Sequence, residues 1–256
     1  MIVIKSDKEI ALMRESGRVV ATLLLELKER IRPGVTTGEL DRLAAQVLKK
    51  HNATSPFYNY PNHEKGQRPF LGQICTSVNE ELVHGVPGKR VLKEGDIIKI
   101  DCGAICKGWI ADSAWTFPVG KISPDAKRLL EVTEGALYAS LKEAKAGNRT
   151  GDMACALQKY VESNGFNVAR EYVSHGVGRH LHEDPQMPNF GEPGKGTKLR
   201  KGMTIAVEPM VLVGNYKTKV LADQWTVAAK DGKLTAHFEH TIAITDGDPE
   251  ILTKLN

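Results

Sequence analysis

Two stretches of the sequence occur twice at nearly the same spacing, and this repeat constrains the fold more than any other feature. Residues 92–101 (LKEGDIIKID) match residues 199–208 (LRKGMTIAVE) at an offset of 107, and residues 32–40 (RPGVTTGEL) resemble residues 145–153 (KAGNRTGDM) at an offset of 113. The first pair is strand-like and the second joins helices. Duplication of such a unit predicts one domain, 1–256, built from two halves, about 6–120 and 123–252, related by a pseudo-twofold axis.

Each half is expected to begin with two helices. Ser6, followed by Glu9, has the spacing of a capping box and precedes a long helical periodicity. Thr36 or Thr37 caps a second helix, and Ser123, followed by a proline at the first helical position, opens the corresponding helix of the second half.

Residues 94–117 predict a β-hairpin that carries two carboxylates. A run of isoleucines leads into Asp101, and aromatic and β-branched residues surround Asp112. A turn centred between Cys106 and Lys107 sets the two aspartates opposite or nearly opposite each other, with Cβ atoms about 4.5–5.5 Å apart if directly opposed. Two buried carboxylates at that distance repel each other, and a metal ion between them is the simplest remedy. The alternative is that one aspartate faces solvent.

The second half offers a matching pair of acids. Glu208 ends the second copy of the repeated strand, as Asp101 ends the first, and Glu239 lies in the alternating segment 234–242, which predicts a strand. A pseudo-twofold axis would bring Asp101 and Glu208 together. Four carboxylates on strands predicted to be buried favour a shared cation over the solvent-facing alternative.

Three histidines lie between these strands, in residues 174–185 (SHGVGRHLHEDP). Isolated histidines are usually surface or packed residues. Here His175, His180 and His182 stand among glycines, which permit close backbone approach, so a ligand or catalytic role is favoured. Alternation would direct His180 to the same side as His182 if the segment is extended.

Composition excludes several classes of protein. With 41% hydrophobic and 26% charged residues, the chain has a globular rather than a disordered or membrane profile. The largely apolar stretch 19–25 is too short to cross a bilayer, and residues 1–10 lack a signal-peptide pattern, so we expect a cytoplasmic protein with no membrane partner. The four cysteines form no CxxC pair and are expected to be buried free thiols. The net charge of +4 is typical of a solvated surface and would also favour contact with an RNA-rich assembly.

Together these motifs resemble the type I methionine aminopeptidases over essentially the whole chain. The segments that carry the resemblance are Val78-Asn79-Glu80, His84-Gly85-Val86-Pro87-Gly88, Asp101 and Asp112, His175-Gly176-Val177-Gly178, His182-Glu183-Asp184-Pro185, Glu208-Pro209-Met210 and Glu239-His240-Thr241. The resemblance implies an α+β architecture, the pita-bread (creatinase/aminopeptidase) fold, in which two pseudo-twofold-related halves place helices on an antiparallel sheet.

The resemblance also implies a metal-dependent reaction. The family removes the N-terminal methionine of nascent proteins and peptides, prefers a small second residue, and uses a hydroxide activated by two divalent metal ions. By this resemblance Asp101 chelates one ion, His175 and Glu208 reach the other, and Asp112 and Glu239 bridge both. Oxygen ligands with a single imidazole suit Co²⁺, Mn²⁺ or Fe²⁺, and the sequence leaves the choice open. A monomer with transient ribosome contact is expected.

The catalytic roles are likewise carried over from the family. Glu208 would move a proton to the departing amine, His182 would hydrogen-bond the substrate carbonyl, and His84 would face the substrate. His180 receives no role. The rival hypothesis is a catalytically inactive relative that binds nucleic acid or a partner protein, but such relatives typically lose ligands.

The methionine pocket matches the family less closely. The expected lining is Phe57, Tyr60, Cys75, Leu181 and Trp225. Phe57 and Leu181 replace the expected tyrosine and phenylalanine, and Thr54 replaces an expected cysteine. Residues 62–73 form a segment longer than expected, which we interpret as a tolerated surface loop. Only 30 residues separate Glu208 from Glu239, too few for the helical insertion of type II enzymes.

Overall fold

A computed structural model describes residues 1–62, 64 and 66–254, and in this range it confirms the mixed architecture of helices and antiparallel strands. The helices are α1 (Asp7–Lys28), α2 (Thr37–Lys50), α3 (Pro124–Lys142) and α4 (Thr150–Ser163). The strands are β1 (Cys75–Val78), β2 (Glu81–Val83), β3 (Ile97–Cys106), β4 (Trp109–Pro118), β5 (Asn167–Val168), β6 (Val173–Gly176), β7 (Glu183–Pro188), β8 (Thr204–Val207), β9 (Met210–Leu212), β10 (Thr218–Val220), β11 (Val227–Ala229), β12 (Thr235–His237), β13 (His240–Ala243) and β14 (Glu250–Ile251).

The helices begin where the sequence predicts. Ser6 caps α1 with a complete capping box, in which its backbone N–H donates to Glu9 Oε2 at 2.8 Å. Thr36, rather than Thr37, caps α2 in the same way. Ser123 accepts from the backbone N–H of Ala126 at 3.1 Å and begins α3. These caps satisfy backbone donors that the first helical turn leaves free.

Two buried apolar layers hold the helices against the strands. Leu23 and Leu27 of α1 and Leu40 of α2 share a core with Ile98 of the β3–β4 hairpin. Residues of α3 and α4 form a second core with strands β9 and β12. The α helices thus cover one side of the strands, and no helix within the described residues is long and apolar enough to cross a bilayer.

The β3–β4 hairpin turns one residue later than predicted. Lys107 and Gly108 form the two-residue turn, both with positive φ (51° and 76°), so Cys106 pairs with Trp109. Asp101 is therefore opposite Ala114, and Asp112 is opposite Gly103. The two aspartates are diagonal neighbours rather than a directly opposed pair. Because each lies two residues from the other's partner, they still project from the same face of the sheet.

The strand predicted over 234–242 is interrupted. β12 ends at His237 and β13 begins at His240, which leaves Glu239 in the break. A matching interruption follows β8, where Glu208 and Pro209 separate it from β9. Register places the two breaks side by side, since His240 pairs with Val207 and His237 with Met210. Neither glutamate lies within a strand, so strand alternation does not determine where its side chain points.

The hairpin of the N-terminal segment is joined to these C-terminal strands through main-chain and side-chain hydrogen bonds. The backbone N–H of Glu239 donates to the carbonyl of Ala114 at 2.7 Å. Thr241 Oγ1 accepts from the backbone N–H of Asp112 at 2.9 Å and donates to its carbonyl at 2.8 Å. These bonds fix β4 against the break that carries Glu239.

Candidate active site

A single cleft of about 930 Å³ collects the residues that the sequence singles out. Its walls include all twelve of the predicted site residues, which are His84, His182, Glu208, Asp101, Asp112, His175, Glu239, Phe57, Tyr60, Cys75, Leu181 and Trp225. Acidic and imidazole groups therefore share one cavity with an apolar pocket. Their assignment to individual catalytic tasks stays a prediction.

The carboxylates and His175 come from five separate chain segments. Asp101 and Asp112 project from one face of β3–β4, His175 lies in β6, and the two strand breaks supply Glu208 and Glu239. Ligand atoms of Asp112, His175 and Glu239 all lie within 4.8 Å of one another. His175 Nε2 is 3.5 Å from Glu208 Oε1. This spacing is suited to a shared cation.

Unpartnered oxygen atoms test whether a cation fits. Asp101 Oδ1, Asp112 Oδ1 and Glu239 Oε1 are buried and have no hydrogen-bond partner among the described residues. Buried carboxylate oxygens are otherwise almost always hydrogen-bonded or metal-bound, because desolvation of an unpaired charge costs several kcal/mol. Four carboxylates with one imidazole form an oxygen-rich donor set that suits divalent cations. The residues present fit such a cation.

The pKa values of the four acids also favour a bound cation. Burial, and then the charge of Asp112, raises the pKa of Asp101 well above its ordinary value. Burial raises the pKa of Asp112 to about 7. Glu208 and Glu239 also have pKa values raised well above the ordinary range, first by burial and then by the neighbouring acids. Protein groups alone do not compensate this concentration of negative charge, whereas a divalent cation would.

His175 is held in the form that can ligate a cation. Its Nδ1 lies 2.9 Å from the carbonyl oxygen of Gly176. A carbonyl only accepts, so Nδ1 carries the proton and donates, which leaves the Nε2 lone pair facing the acids. Burial, followed by the nearby His182, lowers the pKa of His175 to about 3, so the ring is neutral.

His182 occupies a bend between β6 and β7. The Tyr60 hydroxyl lies 2.7 Å from its Nδ1, and its ring meets that of His175 edge-on at 4.4 Å between centroids. Because residues 177–182 are bent rather than extended, the alternation argument for His180 does not apply. His180 is exposed at the edge of the cleft, and its backbone N–H donates to Glu183 Oε1 at 3.1 Å.

A buried ion pair shapes this bend. Lys5 Nζ lies 2.6 Å from Glu183 Oε2, with side-chain exposures of 1% and 8%. The other oxygen of Glu183 accepts the backbone N–H groups of Arg179 and His180. A Cβ on Gly178 would approach Lys5 Cε to 2.6 Å and Glu183 Oε1 to 2.7 Å, so a side chain at this position would displace the ion pair. The ion pair thereby fixes the chain immediately before His182.

His84 lines the cleft from the loop after β2. Its φ of 58° lies in the left-handed region, which is uncommon for a residue other than glycine. The following residue, Gly85, lies so close to the chain at Thr76 that a Cβ would come within 2.3 Å of the Thr76 carbonyl oxygen. The His84 ring meets Tyr172 edge-on at 5.9 Å.

The apolar pocket contains a residue that the sequence did not indicate. Phe70 is 3% exposed, lines the cleft and packs edge-on against Trp225 at 5.3 Å between ring centroids. Its backbone N–H donates to the carbonyl of Tyr60 at 2.9 Å, and Trp225 Nε1–H donates to the carbonyl of Arg68 at 3.0 Å. An aromatic residue shortly before Cys75 was the available signal.

The segment 62–73 is therefore more than a tolerated surface loop. His63 and Lys65 lie outside the described residues, but Phe70 of the same segment lines the cleft, and the carbonyl of Arg68 accepts the indole N–H of Trp225, which packs against Phe70. The expected correspondence of Thr54 with a pocket cysteine is not supported by the geometry. Thr54 is exposed and forms an isolated bridge with Ile105.

A second residue was missed. His237, at the end of β12, is buried, and its Nε2 lies 3.4 Å from Glu208 Oε2. In the sequence it appears only as one position of the alternating segment that leads to Glu239. Its proximity to Glu208 depends on the adjacent strand breaks, which no local pattern reveals.

Three comparisons relate the whole chain to known proteins. A sequence model of metallopeptidase family M24 matches residues 11–246. Methionine aminopeptidase 1 of Bacillus subtilis is 55% identical over 255 residues, covering 100% of both chains, and the methionine aminopeptidase of Clostridium acetobutylicum is 50% identical over 254 residues, covering 99% of both. The crystal structure of methionine aminopeptidase from Thermotoga maritima has a TM-score of 0.95 at 46% identity and covers 100% of both chains.

Proposed function

The chain belongs to metallopeptidase family M24 and has the pita-bread fold of that family, and from this premise we propose that it removes the N-terminal methionine of peptides and nascent proteins whose second residue is small. One observation carries the proposal. The cleft that contains the buried carboxylates, about 930 Å³ in volume, is also lined by apolar and aromatic side chains. Full-length similarity to methionine aminopeptidases supports the same conclusion.

The cleft is proposed to hold two divalent ions, Co²⁺, Mn²⁺ or Fe²⁺. Asp101 would hold one and His175 with Glu208 the other, while Asp112 and Glu239 would bridge both. The unpartnered oxygens of Asp101, Asp112 and Glu239 support this assignment. When bound, such ions lower the pKa of water and polarise a carbonyl group.

The pocket orients the substrate. Phe57, Cys75 and Leu181 are buried in one apolar cluster, with Tyr60 and Trp225 packed against it. Burial of a methionine side chain there contributes roughly 1.5–3 kcal/mol and brings the first peptide bond toward the acids. Tight orientation of the scissile bond in this way accounts for part of the rate enhancement.

His182 is proposed to stabilise the substrate carbonyl as negative charge develops on its oxygen. We assign the Tyr60 hydroxyl, 2.7 Å from Nδ1 of His182, as the donor of that hydrogen bond, which puts the ring proton on Nε2, from where it can be donated to the carbonyl oxygen. Burial raises the pKa of Tyr60, which keeps its hydroxyl protonated at neutral pH. Tyr60 therefore orients the imidazole in addition to contacting the methionine side chain.

Glu208 is proposed to carry the proton to the departing amine. It lines the cleft together with the other three acids, and its backbone N–H donates to Ser174 Oγ at 3.0 Å, which fixes the start of the side chain. A carboxylate within reach of both water and the leaving nitrogen can accept a proton and return it. His84 also lines this cleft.

We further expect the chain to act as a monomer on nascent polypeptides, with transient ribosome contact. Nascent polypeptides are made in the cytoplasm, where we expect the enzyme to act. The net charge of +4 supports contact with an RNA-rich surface.

The test combines metal analysis with a peptide assay. Protein purified without oxygen is analysed for bound metal and then assayed with Met-Ala, Met-Lys and Xaa-Pro peptides. We expect metal-dependent cleavage of Met-Ala that is much faster than cleavage of Met-Lys. Equal rates on Met-Ala and Met-Lys, or a preference for Xaa-Pro bonds, would contradict the proposal. Absence of any hydrolysis in metal-loaded protein would favour the inactive binding protein.

A further inference from the structure

His237 is a buried imidazole to which the proposed mechanism gives no task. It is 1% exposed, and neither ring nitrogen has a hydrogen-bond partner in the described part of the chain. Buried polar side chains are hydrogen-bonded in the large majority of cases, and an unsatisfied nitrogen carries a desolvation penalty. If His237 only filled space in the core, an apolar side chain of similar size would stabilise the fold more. The penalty therefore points to a function.

The backbone of His237 is held firmly. Thr116 Oγ1 donates to its carbonyl at 2.7 Å and accepts from its N–H at 3.0 Å. In the β12–β9 ladder His237 pairs with Met210, two residues beyond Glu208. The backbone from which the imidazole projects is therefore fixed directly beside the strand break that carries Glu208.

Glu208 lies between two imidazoles. His175 Nε2 is 3.5 Å from Oε1, and His237 Nε2 is 3.4 Å from Oε2. His237 does not line the cleft, whereas Glu208 does, so His237 supports the carboxylate from behind. The two oxygens of Glu208 thus face different neighbours.

We propose that His237 is a positioning residue for Glu208, donating its Nε2–H to Oε2 and so fixing the plane of the carboxylate. With Glu208 ionised, as it would be when it holds a cation, an unprotonated Nε2 would direct its lone pair at a carboxylate oxygen and repel it, so the proton belongs on Nε2. The terminal torsion of glutamate is broad, and a small rotation of the carboxylate aligns the 3.4 Å contact into a hydrogen bond. Oε1 then stays directed at His175. The inference rests on the proposed function, in which Glu208 transfers a proton.

The experiment compares His237→Leu with His237→Gln. In the metal-free protein neither ring nitrogen is hydrogen-bonded, so replacing His237 with leucine should leave its melting temperature unchanged or raise it. Glutamine keeps an N–H donor of similar reach. At saturating metal we expect kcat on Met-Ala to fall by about 10- to 100-fold in the leucine variant, the loss expected for a hydrogen bond to a charged group. KM should be unchanged, and glutamine should restore kcat to within about 3-fold.

A matched control separates positioning from packing. His240 is also a buried histidine, 3% exposed, but its Nδ1 lies 2.8 Å from Thr253 Oγ1. His240→Leu removes a satisfied contact and should lower the melting temperature, in contrast to His237→Leu. A purely structural role for His237 predicts the same loss of stability at both positions.

A further measurement does not depend on activity. In protein saturated with diamagnetic Zn²⁺, the ¹⁵N spectrum of His237, assigned by comparison with His237→Gln, should show a protonated Nε2 and a bare Nδ1. A protonated Nδ1, a leucine variant with unreduced kcat, or a glutamine variant as impaired as leucine would overturn the inference. If the unmodified protein fails to cleave Met-Ala, the proposed function fails, and the spectrum and melting temperatures still decide the role of His237.

Discussion

Removal of a single hydroxyl group tests the orientation of His182. In Tyr60→Phe the ring remains, together with its edge-on contact with His182 at 5.5 Å between centroids, and only the 2.7 Å contact to Nδ1 is lost. A neutral hydrogen bond contributes about 0.5–1.5 kcal/mol. If that energy holds the imidazole in its productive tautomer and orientation, its loss lowers kcat by about 2- to 12-fold. KM should not change, because the apolar wall remains intact.

The assay measures kcat and KM on Met-Ala peptides at saturating metal, beside Tyr58→Phe as the matched control. Tyr58 is 49% exposed and is not part of the cleft wall, so its hydroxyl should be dispensable. An interaction made only in the transition state lowers kcat and kcat/KM equally. Unchanged kcat in Tyr60→Phe, or a raised KM with kcat preserved, would refute the reasoning and leave Tyr60 as a pocket residue only.

Three further predictions concern other parts of the site. Asp112→Ala or Glu239→Ala should abolish tight binding of at least one metal ion, measured by calorimetry, and two bound ions with normal turnover would contradict the bridging role. His182→Ala should leave metal bound and reduce kcat by about 10²–10³, whereas His180→Gly should cost little; the reverse result would show that the wrong histidine was assigned. Glu183→Gln should destabilise the protein by about 3 kcal/mol or more at pH 6–7, because it leaves a buried lysine uncompensated. Burial raises the pKa of Glu183, but hydrogen bonds from Lys5 and the loop backbone outweigh burial and lower this pKa below its unfolded value. The stabilisation by Glu183 is therefore present above about pH 4.3 and is lost as pH falls through the lower folded pKa. Urea unfolding at pH 6 and below pH 4 should show that the stability difference between Glu183→Gln and the unmodified protein shrinks at the lower pH, and a constant difference would contradict this.

Local patterns predicted the elements well where the sequence contains the whole signal. Ser6 and Thr36 cap helices through residues three positions away, and isoleucines before Asp101 form a strand as expected. The hairpin turn was misplaced because Lys107 adopts positive φ, which a lysine seldom does and which no Asn-Gly or Asp-Gly pair signalled. The aspartates nevertheless share a face of the sheet, because the observed strand pairing differs from the predicted pairing by two residues and not by one.

Positions that depend on distant contacts could not be predicted locally. The alternating pattern around Glu239 continues without interruption, and the break arises where its N–H donates to Ala114 in β4. Phe70 becomes a pocket wall only because Trp225, far along the chain, packs against it. His237 acquires its place beside Glu208 from two breaks that align across the sheet. The division into two duplicated halves stays a prediction.

The hydrogen bond from the Trp225 indole to the Arg68 carbonyl has a consequence for how this pocket can evolve and be targeted. A main-chain carbonyl is common to every amino acid, so residue 68 can mutate freely while the indole keeps its acceptor. Phe70 is constrained by its side chain, whereas residue 68 is constrained only by its backbone path. Inhibitors that contact the indole and Phe70 should therefore be insensitive to the residue type at position 68. Selectivity would have to use other side chains of the cleft wall, such as Asn62 and Glu64.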